Sequence, residues 1–276
     1  MKPFLGIDLT NDKKNEQNNG SEFLVQTSSP ALANALEQST EKAENTVARA
    51  KLPLAFRIIQ YICGFGALLI GVGILKADVD FVEGYHNAPE LHWIGAICAV
   101  VWLALWAWGK LKAKSVLETE ESTQTLSHWE KTAEAVYNEL AVPANAKNVD
   151  VLMFFYKMKN GELKIQEKGI VQCMNPEFKL FTDEENLYLA NLEGKYAFPL
   201  SSIVKLHAVK KHIRIAGWNK DEEFNKGIYK QYKLTTDNYG MIHCKEYYIL
   251  EIAHNGENYG IYIPCYELPA FETFTK

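Results

Sequence analysis

The stretch KLHAVKKHIR sets Lys205, Lys210, Lys211 and Arg214 beside His207 and His212. Cations at this density suit an anionic surface, where each charge near a bilayer is worth about 1 kcal/mol. Asp221, Glu222 and Glu223 follow closely, so the run also reads as a solvated strand pair with acidic neighbours. His243, Cys244, His254, Cys173 and Cys265 are the donor types of a transition-metal site. Their spacing argues against one. There is no CxxC pair, and adjacent His243 and Cys244 point to opposite faces of a strand. Glu246 and Glu251 stand five apart, an odd spacing that separates the two carboxylates across a strand. G-x-S-x-G, H-E-x-x-H and the phosphate-binding loop are all missing. Cys265 follows Pro264 with no assignable histidine and reads as a buried structural thiol. No catalytic, cofactor or metal residue is assigned, and the chain is expected not to be an enzyme.

Glycines pose a second chemical question. YICGFGALLIGVGIL contains Gly64, Gly66, Gly71 and Gly73. A dinucleotide fingerprint needs a further glycine where Leu69 stands, with a polar turn before it. Length gives the better answer. Ile58 to Leu75 is an uncharged run of 18 residues between Arg57 and Lys76. At about 1.5 Å per residue it nearly matches a hydrocarbon core. Leu91 to Gly109 is a second such run of 19 residues, with Trp93, Trp106 and Trp108 near its ends. Gly64, Ala67 and Gly71 share one helical face, and Gly66 and Gly73 the opposite one. Gly95 and Ala99 of the second run are expected to receive the first face, because small residues let helices approach closely in lipid.

These runs divide the 276 residues. Residues 1–30, including the polar NDKKNEQNNG, are expected to be a disordered tail with no signal peptide. Residues 31–53 form a juxtamembrane helix, 54–76 and 91–109 two transmembrane helices, and 77–90 an extracytoplasmic loop. That loop holds Asp78 and Asp80 but lacks the later ligands of a calcium loop. Residues 110–142 form a helical connector, with Leu126, Trp129, Ala133, Val136, Tyr137 and Leu140 on one face before Pro143 stops it. Basic residues flank the spans on the outer sides (Lys42, Arg49, Lys51 and Arg57; Lys110, Lys112 and Lys114), whereas the loop between them is acidic. The positive-inside rule then places both termini in the cytoplasm of a two-span cell-membrane protein. The net charge of −5 offers no nucleic-acid footprint.

From 143 to 276 the period falls to two. Asn160-Gly161 signals a hairpin. Further strands are expected at EFKLFT, NLYLAN, KYAFPL, SIVKLHAV, HIRIAGW, YKQYKLTT, EYYILEIAH and ENYGIYIP, with a short helix closing the chain. The stretches FTDEENLYLANLEGKYAFPLSSIVKL and GENYGIYIPCYELPAFE resemble a bacterial PH-like domain. The resemblance implies an α+β architecture, an antiparallel β-roll capped by a C-terminal helix. The whole chain also resembles uncharacterised two-span bacterial membrane proteins, a family that implies no activity. The expected function is a membrane-anchored interaction or scaffold protein. Its partner is a protein, a second copy or the anionic lipid surface. The alternative is an accessory subunit of a larger membrane complex or transporter.

Overall fold

The computed structural model describes every residue except 11–14, 19–20, 77–87, 167–168, 170, 217–226, 228–229, 238–240 and 275–276. It divides into a helical unit, Pro30–Glu134, and a β unit made of Met1–Ser29 with Ala135–Lys276.

The helical unit begins with α1 (Pro30–Ala50), α2 (Leu54–Lys76) and α3 (Pro89–Leu117); α4 (Glu120–Glu139) runs on into the β unit. Both α2 and α3 are long and apolar enough to cross a membrane, and none of the apolar window of either is buried. Ile62, Phe65, Leu68, Leu75, Ile97, Val100 and Leu103 are exposed. A soluble fold would hide such side chains in a core. At 29 residues α3 is about 44 Å long, so it outruns a hydrocarbon core of about 30 Å. The connector expected at 110–142 is therefore two helices. Thr119 ends the first and caps the second, its hydroxyl accepting from the Ser122 amide at 3.3 Å. The helical face read from the sequence is the inner one of α4. Ala133, Val136 and Leu140 are buried, and the Trp129 indole donates to the Thr40 hydroxyl of α1 at 3.1 Å. Most of the expected 77–90 loop lies outside the described residues.

The β unit opens with β1 (Lys2–Pro3), β2 (Leu5–Asp8), β3 (Asn15–Asn18) and β4 (Leu24–Gln26). After the helices come β5 (Lys147–Asp150), β6 (Met153–Lys159), β7 (Glu162–Ile165), β8 (Cys173–Met174), β9 (Glu177–Thr182), β10 (Asn186–Ala190) and β11 (Lys195–Pro199). Then follow β12 (Ile203–Val209), β13 (Ile213–Ile215), β14 (Thr235–Thr236), β15 (Ile242–Cys244), β16 (Tyr247–His254), β17 (Glu257–Pro264) and the one-turn helix α5 (Leu268–Phe271). They form three sheets, ordered β1-β17-β16-β12, β4-β11-β10-β9-β5 and β14-β15-β13-β8-β6-β2-β3, with β7 on β6. The hairpin at Asn160-Gly161 is a two-residue turn with both φ positive, and Asn255-Gly256 repeats it. Strand β16 separates two cores. Leu250 and Ile252 join Phe4, Phe178, Phe198 and Ile261 on one side, while Tyr247 and Ile249 join Phe154, Ile213 and Tyr262 on the other.

Three expectations change here. The N-terminal segment is not a disordered tail in its described part: β1 pairs with β17 and β2 with β6, and Phe4, Leu5, Ile7 and Phe23 enter the first core. The polar run masked this in the sequence, because the partners of Lys2–Asp8 lie far along the chain. The sheets are not purely antiparallel, since β1–β17, β2–β6 and β8–β13 are parallel pairs. The closing helix is short as expected, a single turn flanked by 3-10 turns. Near YKQYKLTT, expected as a strand, Gln231 and Tyr232 are helical and only Thr235–Thr236 pairs.

Candidate functional site

The structure divides the basic stretch. Lys205 lies on β12 of the first sheet, and its ammonium meets the Glu251 carboxylate of β16 at 3.5 Å. Lys210 and Lys211 sit in the turn after β12, which closes when the Lys211 amide donates to the Val209 carbonyl at 2.8 Å. Arg214 lies on β13 of the third sheet, opposite His243 of β15. The four cations do not form one strand face. Asp221, Glu222 and Glu223 lie outside the described residues.

Beside Arg214 stands an arrangement that the sequence reading missed. Asp237, His243 and His212 form a hydrogen-bonded chain. His243 Nε2 lies 3.0 Å from Asp237 Oδ2, and His243 Nδ1 lies 3.1 Å from His212 Nε2. A carboxylate only accepts, so Nε2 of His243 carries the proton. When His243 is neutral it accepts from His212 through Nδ1. Desolvation, His243 and Arg214 together hold the His212 imidazole below its ordinary range. His212 and His243 are 31 residues apart, and only the β13–β15 register makes them neighbours. The short-range signal was Asp237, six residues before His243.

The histidines and cysteines, which the sequence spacing argued against as a metal site, do not converge. Cys173, Cys244 and Cys265 are buried in the second core, whereas His243 is half-buried and the His254 ring lies tilted against Phe23 with centroids 4.7 Å apart. Among the described residues no group of three or more histidine, cysteine or acidic side chains is placed to hold a metal ion. A hydrogen bond to Cys265 and burial push the Cys244 thiol up, and burial does the same for Cys173, so these thiols resist ionisation. Glu246 takes a hydrogen bond from Tyr248 while Glu251 faces Lys205, as their odd spacing requires.

In the helical unit α2 packs along α3. A Cβ added at Gly64 would lie 2.8 Å from the Trp102 ring, and one at Gly95 would lie 2.9 Å from Ile70. Both glycines therefore permit the close approach. Ala67, Gly71 and Ala99 lie on the half-buried stripe with them, although Gly71 has open space before it. Gly66 differs from expectation. It is half-buried, and a Cβ added there would lie 3.6 Å from the Cys98 sulfur. Gly73 is exposed and meets nothing.

In the β unit an open cleft of about 460 Å³ lies beside edge strand β4. It is lined by Glu22, Phe23, Val25, Tyr188, Lys195 and His254. Val25 is exposed within it. Lys195 is anchored at one end by donating to the Leu140 carbonyl at 2.7 Å. Compared with known proteins, the chain matches no protein-family model, no curated protein and no solved structure.

Proposed function

We propose that the chain is a two-span membrane protein whose β unit, PH-like in its antiparallel hairpins, is a cytoplasmic module that binds a protein partner. The observation that carries this reading is that no residue in the apolar stretches of α2 and α3 is buried. In water that surface has a large hydrophobic cost; in lipid it has none. The β unit adds an independent argument. It is built from chain on both sides of the helical pair, so both flanks must occupy one compartment. An even number of crossings satisfies this and an odd number does not. The lysine and arginine bias then selects the cytoplasm. The cleft beside β4 offers a partner an exposed sheet edge with apolar and charged side chains together. The ion pair of Lys205 with Glu251 weakens the case for a lipid-binding face at 205–214.

A cysteine introduced at Val82 tests the reading. It should react with an impermeant maleimide on intact cells, and one introduced at Glu193 only after lysis. Labelling of position 82 only after lysis, or release of the protein by alkaline carbonate, overturns it. Gly73, exposed with nothing beside it, favours the second reading of an accessory subunit packed on a partner helix. A strict monomer after crosslinking in native membranes excludes that version.

A further inference from the structure

We infer that the helical unit holds the headgroup of an anionic phospholipid, in a groove where α1 hands over to α2. This inference rests on the membrane reading above. The groove is open, about 470 Å³ in volume, and lies between the end of α1, the first turns of α2 and the basic end of α3. Lys51, Arg57 and Lys110 supply three cations to its lining, and among the described residues no carboxylate lines it. All three side chains are exposed. The remaining wall includes Leu52, Leu105 and Trp106. Cations thus meet an apolar wall and an indole at one place, the composition that suits a phosphate joined to acyl chains. Two contacts shape this groove. The Lys112 ammonium donates to the Lys51 carbonyl at 2.7 Å and ties the α1–α2 turn to α3. Gly109 leaves room for Leu52, whose Cδ1 would lie 3.2 Å from a Cβ at that position. The level is also right. Arg57 and Lys110 flank the two apolar runs at the same end of the hairpin, where the lipid phosphates lie. A soluble anion would need the cations but not the apolar wall, and so the occupant is a lipid.

The test uses the full chain in nanodiscs whose phosphatidylcholine is doped with either brominated phosphatidylglycerol or brominated phosphatidylcholine. Quenching at Trp106 is taken as the difference between the wild type and Trp106→Phe. Brominated phosphatidylglycerol should quench more strongly at equal mole fraction. Arg57→Gln and Lys110→Gln should each reduce the preference about fivefold, the factor expected for one charge near the headgroups. Lys114→Gln, outside the groove, should leave it unchanged. Added inorganic phosphate should not displace the lipid. Equal quenching by both lipids overturns the inference and leaves the membrane reading standing. Quenching by neither lipid, or failure to enter nanodiscs, overturns both. Displacement by phosphate reassigns the groove to a soluble anion and overturns the lipid.

Discussion

Phe4→Ala is the sharpest test of the β unit, because it touches a segment whose sequence looks like a tail. Phe4 is 1% exposed. Its ring lies 5.2 Å from Tyr196 and 5.4 Å from Phe198, both edge-on, and 6.0 Å from Phe178. Its amide donates to the Gly260 carbonyl at 2.8 Å, so the backbone beneath the ring is fixed and the site has little room to collapse. Removing a buried phenyl costs about 3–5 kcal/mol in transfer and cavity terms. For a body of this size each kcal/mol moves the midpoint by about 2–4 °C. The expected drop is therefore about 6–20 °C in thermal unfolding of the detergent-solubilised full chain, followed by near-ultraviolet circular dichroism. Val25→Ala, which shortens an exposed side chain on the neighbouring segment, is the control and should move the midpoint by less than about 2 °C. If Phe4→Ala shifts the midpoint no more than Val25→Ala, the N-terminal strands do not belong to the fold.

Three more outcomes follow from the geometry. Gly95→Leu should destabilise the helical pair by about 1–3 kcal/mol, because its Cβ alone crowds Ile70; Gly73→Leu should not, and chemical unfolding in mixed micelles compares them. Ala141 holds φ +52° where α4 ends, with the Val142 amide reaching back to the Tyr137 carbonyl at 2.9 Å; Ala141→Gly should therefore stabilise the chain by about 1 kcal/mol in the same unfolding assay. His212 should titrate below its ordinary pKa of about 6.5 by NMR of its ring protons, and Arg214→Gln should raise that value. A depressed folded pKa means that the folded state takes up its proton later than the unfolded one. Its contribution to stability is present above the unfolded pKa and is lost as pH falls through the folded pKa. His212→Gln should flatten this acid side of the pH–stability curve.

Local signals in the sequence were faithful outside YKQYKLTT. The alternation of EFKLFT and ENYGIYIP yields β9 and β17 over the same residues, and Asn-Gly twice gives the tight turn it encodes. The stripe of α4 and the seam glycines Gly64 and Gly95 were readable because a helix repeats its contacts within a few residues. Long-range pairing was not readable. Nothing near Lys2–Asp8 announces that its partners are Tyr259, Gly260 and Phe154–Tyr156. The His212–His243 contact is hidden for the same reason, since it exists only in the register of two strands joined through a long polar segment.

The pairing of β1 with β17 fixes an order of events during synthesis. Lys2 meets Tyr259, so about 250 residues must be made between the two halves of that contact, which at ribosomal rates takes roughly 10–50 s. Over that interval Phe4, Leu5 and Ile7 have no core to enter, while the two apolar helices leave the ribosome and can be inserted. Insertion of the two proposed spans would precede closure of the β unit, and closure is slow because its contacts are distant in sequence. The polar run NDKKNEQNNG follows this waiting strand in the sequence. Charged and amide side chains next to a waiting hydrophobic strand discourage it from pairing with other nascent chains until its own last strand arrives.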